Sequence, residues 1–309
     1  MAKKSVRSQL SKEEAWPPLP LAEWSATRDT LHMWTQVVGK VRLELTPLVN
    51  HWWEVPLYIS ARGLTTSPIP YALGIFEMEF DFIDHVLKIV TSRGEIRTIP
   101  LKPRSVADFY ENVMATLASL GIEVKIWPMP VEITNPIIRF ERDTTHASYD
   151  PEYANRFWRI LVTVDTILKE FRARFIGKAS PVHLFWGSLD LAATRFSGRR
   201  APERPGADAM TREAYSHEVS SVGWWPGNGG FDAPMFYAYA SPEPPGFREC
   251  KVRPAEAFYN AQIGEFLLPY DAVRAANDPA AALLEFAQSS YEAAANLGNW
   301  DRASLERNP

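Results

Sequence analysis

The sequence predicts an α+β protein of antiparallel sheets packed by long amphipathic helices. Three observations predict it. Two long stretches repeat apolar residues at steps of three and four, the period of one helix face. Shorter stretches between them alternate apolar and polar residues, the period of a strand with one face buried. The order helix, strands, helix then occurs in each half of the chain, as an internal duplication would give.

Taken in order, residues 1–23 read as a flexible arm ending in Trp16-Pro-Pro-Leu-Pro20, stiffened by its prolines and laid on the surface. Residues 24–126 make a first α+β half. Trp24, Leu31, Trp34, Val38, Val41 and Leu45 mark its long helix, and Pro47 sits near the break. Residues 55–62 read as a strand, and residues 63–70, rich in threonine and proline, as a loop. Residues 75–82, 85–90 and 95–99 form an antiparallel meander with a tight turn at Arg93-Gly94. Ser105 caps a helix that Gly121 stops, and residues 122–126 suggest a short strand.

Residues 127–149, with Pro128, Pro130 and Pro136, are a connector. Residues 150–300 make a second half. Phe157, Leu161, Val164, Leu168, Phe171 and Phe175 line a second long helix. A strand over residues 183–190 runs into a turn-rich loop that carries Arg195, Arg199 and Arg200. Further strands fall at 217–224, 235–240 and 262–268. Asp278 caps a final alanine-rich helix from Pro279 to Leu297. Residues 301–309 are a tail. Trp34 and Trp158 hold similar places in the two long helices. Tyr58, Ser60 and Arg62 align with Trp186, Ser188 and Asp190 at one offset.

The 309 residues are 46% hydrophobic and 23% charged, enough apolar material for a large core. A net charge of -4 advertises no nucleic-acid surface. Cys250 is the single cysteine, so an intramolecular disulfide and a cysteine-based zinc site are excluded. That fits a reducing compartment, and no apolar segment reads as a leader or a membrane span. The expectation is a cytoplasmic protein with no nucleic-acid or membrane partner.

Candidate chemistry gathers around residues 183–200. Asp190 in an apolar strand needs a partner, and Arg62 of the matching strand is the expected one. Arg195, Arg199 and Arg200, with Ser197 beside them, offer bidentate donors for a small anion. His183, His217 and Glu218 are the candidate acids and bases. Trp186, Trp224 and Trp225 would wall a cleft, and Arg62 and His51 would line it. A metal centre from His51, His183, His217 and Glu218 is chemically conceivable but needs distant segments to converge, and no metal ligand is assigned. No Walker loop, GxGxxG, HExxH or GxSxG motif is present, so the residues name no cofactor.

The strings NHWWEVPLYISARGLTTSPIPY, FDFIDH, HLFWGSLDLAATRFSGRRAP and SHEVSSVGWWPG resemble a bacterial and fungal family known only as a domain of unknown function. The resemblance runs from about Trp24 to the final helix. It implies one shared architecture and assigns no catalytic residue. Two functions follow from the residues themselves: an enzyme acting on a small anionic substrate in a cleft of Arg, Trp and His, or a non-catalytic module binding a small molecule or peptide.

Overall fold

The structure, a computed structural model, describes residues 10–133, 136–228 and 230–307. Its first turn is a capping box. The Ser11 hydroxyl accepts from the Glu14 amide, and the Glu14 carboxylate accepts from the Ser11 amide, which fixes α1 (Lys12–Ala15). Trp16 then packs on Tyr270 with ring centroids 6.0 Å apart, and the Tyr270 hydroxyl donates to the Pro17 carbonyl at 2.9 Å. Trp16 and Leu19 are buried. From residue 10 onward the expected flexible arm is therefore docked, because burying a tryptophan and a leucine outweighs the freedom lost. Residues 1–9 of that arm lie outside the described residues.

α2 (Leu21–Leu45) realises the first long apolar period. It has one apolar face only at its start; from Met33 to Arg42 it is buried all round. The reason is its place between α3 (Val106–Ser119), α4 (Pro151–Ala173) and the sheets. Polar groups on it bond inward. The Gln36 carboxamide donates to the Val131 carbonyl at 2.9 Å and accepts from the Val131 amide at 2.8 Å, which pins the connector to the helix.

The first sheet is antiparallel and holds β1 (Tyr58–Ile59), β2 (Gly63–Thr65), β3 (Ile69–Tyr71), β4 (Gly74–Asp81), β5 (Val86–Thr91) and β6 (Ile96–Pro100). Residues 63–70, expected as a loop, supply β2 and β3, both paired with β4. Leu64 and Ile69 are buried, and the Thr66 hydroxyl accepts from the Met78 amide at 3.0 Å, so the threonines serve the sheet rather than a turn. Residues 122–126 form no strand.

The second sheet is also antiparallel. It holds β7 (His183–Phe185), β8 (Asp190–Arg200), β9 (His217–Trp225), β10 (Met235–Ser241), β11 (Phe258–Asn260) and β12 (Glu265–Pro269), in the order β11-β12-β10-β9-β8-β7. The short α5 (Ala209–Ala214) lies in the crossover from β8 to β9. α6 (Tyr270–Ala275), α7 (Pro279–Leu297) and α8 (Arg302–Leu305) follow. α4 and α7 cover one face of this sheet. Asp150 and Asp278 cap these two helices, each followed by proline.

One turn decides the faces. Residues 183–190 are not a single strand: β7 ends at Phe185, residues 186–189 turn back with Leu189 at φ 59°, and β8 returns antiparallel. Trp186 leaves the strand to fill the space beside Gly39, and its Nε1 donates to the Val55 carbonyl at 2.9 Å. Any Cβ on Gly39 would sit 2.3 Å from that indole. The expected arginine loop is thus the far part of β8. The two sheets meet where Leu57 and Leu184 exchange backbone hydrogen bonds of 2.9 and 2.8 Å.

Candidate functional site

Alternation along β8 sends Leu191, Ala193 and Arg195 toward the helices and Asp190, Ala192, Thr194 and Phe196 to the opposite face. β10 does the same: Phe236 and Ala238 are buried, while Tyr237 and Tyr239 share the face of Asp190. That second face is the floor of a cleft of about 1030 Å³. α2 roofs it with Arg28, His32 and Met33; the connector adds Glu132; α5 adds Met210 and Thr211; the end of β9 adds Trp225; and the β9–β10 loop adds Phe231.

The floor is acidic and phenolic. The Tyr237 hydroxyl donates to the Asp190 carboxylate. Burial raises the Asp190 carboxyl to about 7 even against that hydrogen bond, with the charge of Glu132 adding to it. Glu265, on β12, also rises to about 7, first from burial and then from the charge of Asp190. Tyr239 bonds hydroxyl to hydroxyl with Tyr215 at 3.0 Å, and burial pushes both Tyr237 and Tyr239 well above the ordinary phenol value.

His183 lines the same cleft, is 1% exposed, and its ring makes no hydrogen bond to any described residue; the ring Nδ1 is buried without a partner. Burial, helped by Arg42 and Arg172, lowers it to about 3, so the ring is neutral at physiological pH. His32 is committed differently. Its Nε2 lies 3.0 and 2.8 Å from the carbonyls of Trp186 and Gly187, which only accept, so Nε2 carries the proton and fastens the 186–189 turn. The cations at the rim are already taken: Arg28 donates to Asp29 at 2.9 Å, and His146 lies 2.6 Å from Asp143, which raises it.

The expected site residues separate. His183, His51 and Trp225 line the cleft. His51, Arg200 and His217 meet in a second, smaller pocket beside it. Arg195 does not bind in the cleft: it is 1% exposed beneath the helices, its guanidinium stacked on Phe171 and Tyr291. Arg199 is likewise outside. It donates to Glu218 at 2.9 Å and to the Asn299 carbonyl at 3.1 Å, closing the carboxyl end of α7. Glu218 is held by that arginine and faces away from the cleft, so it is not paired with His217 for acid–base work. Ser197 accepts from the Arg199 amide at 3.0 Å. Trp186 and Trp224 are core residues.

The expected Arg62–Asp190 pair does not form. Arg62 bonds Asp81, at the end of β4, and lies 2.7 Å from Asp84, in the turn that follows it. The four-residue metal centre does not form either, and among the described residues no group of three or more His, Cys, Asp or Glu converges in metal-binding geometry. Tyr237, Tyr239 and Glu265 were not anticipated. The signal was present in Phe236-Tyr-Ala-Tyr-Ala240, where phenols alternate with small residues on what becomes the non-core face.

A family of unknown function, DUF5996, matches residues 16–307. The chain belongs to that family. The match takes in both sheets and the whole cleft. No curated protein and no solved structure matches the chain. Among the described residues, no helix is long and apolar enough to cross a membrane.

Proposed function

We propose that the protein is an enzyme that exchanges protons with a small molecule held in the cleft, with Asp190 and Glu265 as the exchanging pair. The observation that carries this reading is the placement of both carboxyls on one aromatic-walled floor, with no cation beside either among the described residues. Two interacting acids raised to about 7 are half-ionised near neutral pH, where proton transfer in either direction is cheapest. The Tyr237 hydroxyl favours the charged form of Asp190, so Asp190 is the base and Glu265 the acid. Neutral His183 is a hydrogen-bonding group for the ligand, and Trp225, Phe231 and Phe185 exclude water from it. The alternative, a non-catalytic binding module, uses the same walls without turnover.

A thermal-shift screen of small polar molecules tests both. Hits are incubated with the protein and followed by mass spectrometry. Conversion that is lost in Glu265→Gln while the thermal shift persists supports the enzyme. Binding without conversion supports the module. If no hit depends on Tyr237, Asp190 or Glu265, the cleft is not the site.

The internal duplication belongs with this proposal. β2 and β3 both pair with β4, so the first sheet is in effect a five-strand meander, and the second repeats it as β7-β8-β9-β10-β12 with β11 added at the edge. The β1 and β7 ends of the two sheets meet at Leu57–Leu184, as the edges of two related halves would. The floor of the cleft then belongs to the sheet of the second half, and the first half and the connector supply its roof and part of its wall.

A further inference from the structure

A second pocket of about 470 Å³ opens beside the cleft. His51 lines both, and α5 is the wall between them. Its construction begins in the sequence. A register shift between β8 and β9 pairs Arg200 with His217 across the strand ends. The crossover that follows carries Arg212 on α5. The short turn Asn50–Trp52 packs against α5, with His51 in the left-handed region at φ 63°, a conformation seldom adopted without glycine.

That strained backbone aims the imidazole. His51 Nδ1 lies 3.0 and 3.2 Å from the carbonyls of Glu213 and Ala214. Carbonyls only accept, so Nδ1 carries the proton and Nε2 is an acceptor. The Lys178 ammonium donates to Nε2 at 2.7 Å and lies over the Trp53 and Phe196 rings. Lys178 is thus held in place with no carboxylate. Arg200 and Arg212 also lack a carboxylate partner among the described residues, although both line the pocket. The single acid is Glu213, whose Oε1 accepts the His51 amide at 3.2 Å.

Three cations, of which Lys178 is held by His51, against one carboxylate leave the pocket with an excess of two positive charges. Two guanidinium groups and one ammonium around a small hollow suit a tetrahedral dianion better than a lone carboxylate. We propose that this pocket binds the phosphate of a small phosphomonoester, whose remainder lies past His51 in the cleft. The phosphate site stands on the pocket's own geometry; only the placing of the remainder rests on the cleft reading. That reading lacks a group to hold an anion, since Arg28 and His146 are committed to aspartates.

The test uses the full chain with inorganic phosphate and phenyl phosphate, at constant ionic strength set by chloride. Affinity is read by calorimetry, and the ring nitrogens of His51 and His217 by NMR. Phosphate is expected to move both imidazole signals. Arg200→Gln and Arg212→Gln, at exposed side chains, are each expected to weaken phosphate about tenfold, the loss of one charge-assisted contact. Lys178→Met is expected to do the same and to release the His51 Nε2 signal. Arg97→Gln, on the first sheet, should change nothing. Asp190→Asn should leave phosphate affinity intact, which separates this site from the cleft. Phenyl phosphate binding tighter than phosphate marks the ester as the ligand; equal affinities would overturn the phosphomonoester and leave a free-anion site. Binding that is equally weak in every variant, or that leaves both imidazoles unmoved, overturns the proposal. Phosphate bound through these residues without any ligand for the cleft would sink the cleft reading and keep this one.

Discussion

Arg195 and Asp190 are carried by the same strand and differ in everything else. Arg195 points to the helix side, where Phe171, Phe175 and Tyr291 surround its guanidinium and the Phe171 carbonyl takes one N–H. Asp190 points the other way, onto the floor of an open cleft, with one phenol for company. Burial works against both charges: it lowers the arginine to about 10 and raises the aspartate to about 7. The arginine still stays charged at neutral pH, and the aspartate stands at its midpoint. A buried charge closed in by side chains is scaffold. One facing empty volume is free to act on whatever enters.

The largest effect should come from the closed side. Arg195→Ala removes a large buried side chain from between three rings and is expected to cost about 3–5 kcal/mol in urea unfolding. Arg195→Met keeps most of that volume and removes a charge that forms no ion pair among the described residues, with Glu306 acting on it only from a distance. It should lie within about 1.5 kcal/mol of the parent. If methionine proves as damaging as alanine, the guanidinium itself matters and the contrast with Asp190 weakens.

On the open side the sign reverses with pH. An unfolded aspartate titrates at about 4, and the folded Asp190 at about 7. Between those values the folded protein keeps a proton that the unfolded chain has lost. Stability from this group therefore falls as pH rises through that window and stays reduced above it. Asp190→Asn should be more stable than the parent at pH 8, by about 1–2 kcal/mol once cleft water is allowed for, and no more stable at pH 4. Glu265 should titrate lower in that variant, because the charge of Asp190 is one of the two causes of its rise. Carbon NMR of the two carboxyls checks both points. A variant less stable than the parent at pH 8 would mean that Asp190 has a partner charge after all.

How much of this was legible in the chain follows from what is local. The helix Pro279–Leu297 and its Asp278 cap were readable because cap, proline and apolar period lie in one window. The same holds for Ser105 before α3 and for the meander β4–β6. The arginines were misplaced by a single feature, the turn at 186–189. No glycine marks its left-handed residue, Leu189, and moving that turn exchanges the faces of every residue after it. The cleft was out of reach for another reason. Asp190, Tyr237 and Glu265 come from three strands, and only their pairing order puts them side by side. Lys178 and His51 are farther apart still, and it is their 2.7 Å contact that defines the second pocket.

The smallest effect tests the contrast most sharply. The proposed duplication would align Arg62 with Asp190, yet Arg62 sits at the surface and serves its own sheet. Asp81 keeps its two amide donors, Ile83 and Asp84 at 2.9 Å each, when the arginine is lost. Arg62→Met should therefore change stability little, as exposed pairs usually do. Together with Asp81→Asn it should show a small but measurable coupling; together with Asp190→Asn the two effects should simply add. A measurable Arg62–Asp190 coupling would mean that the two sheets share charge across the Leu57–Leu184 junction, and the cleft acid would no longer be independent of the first half.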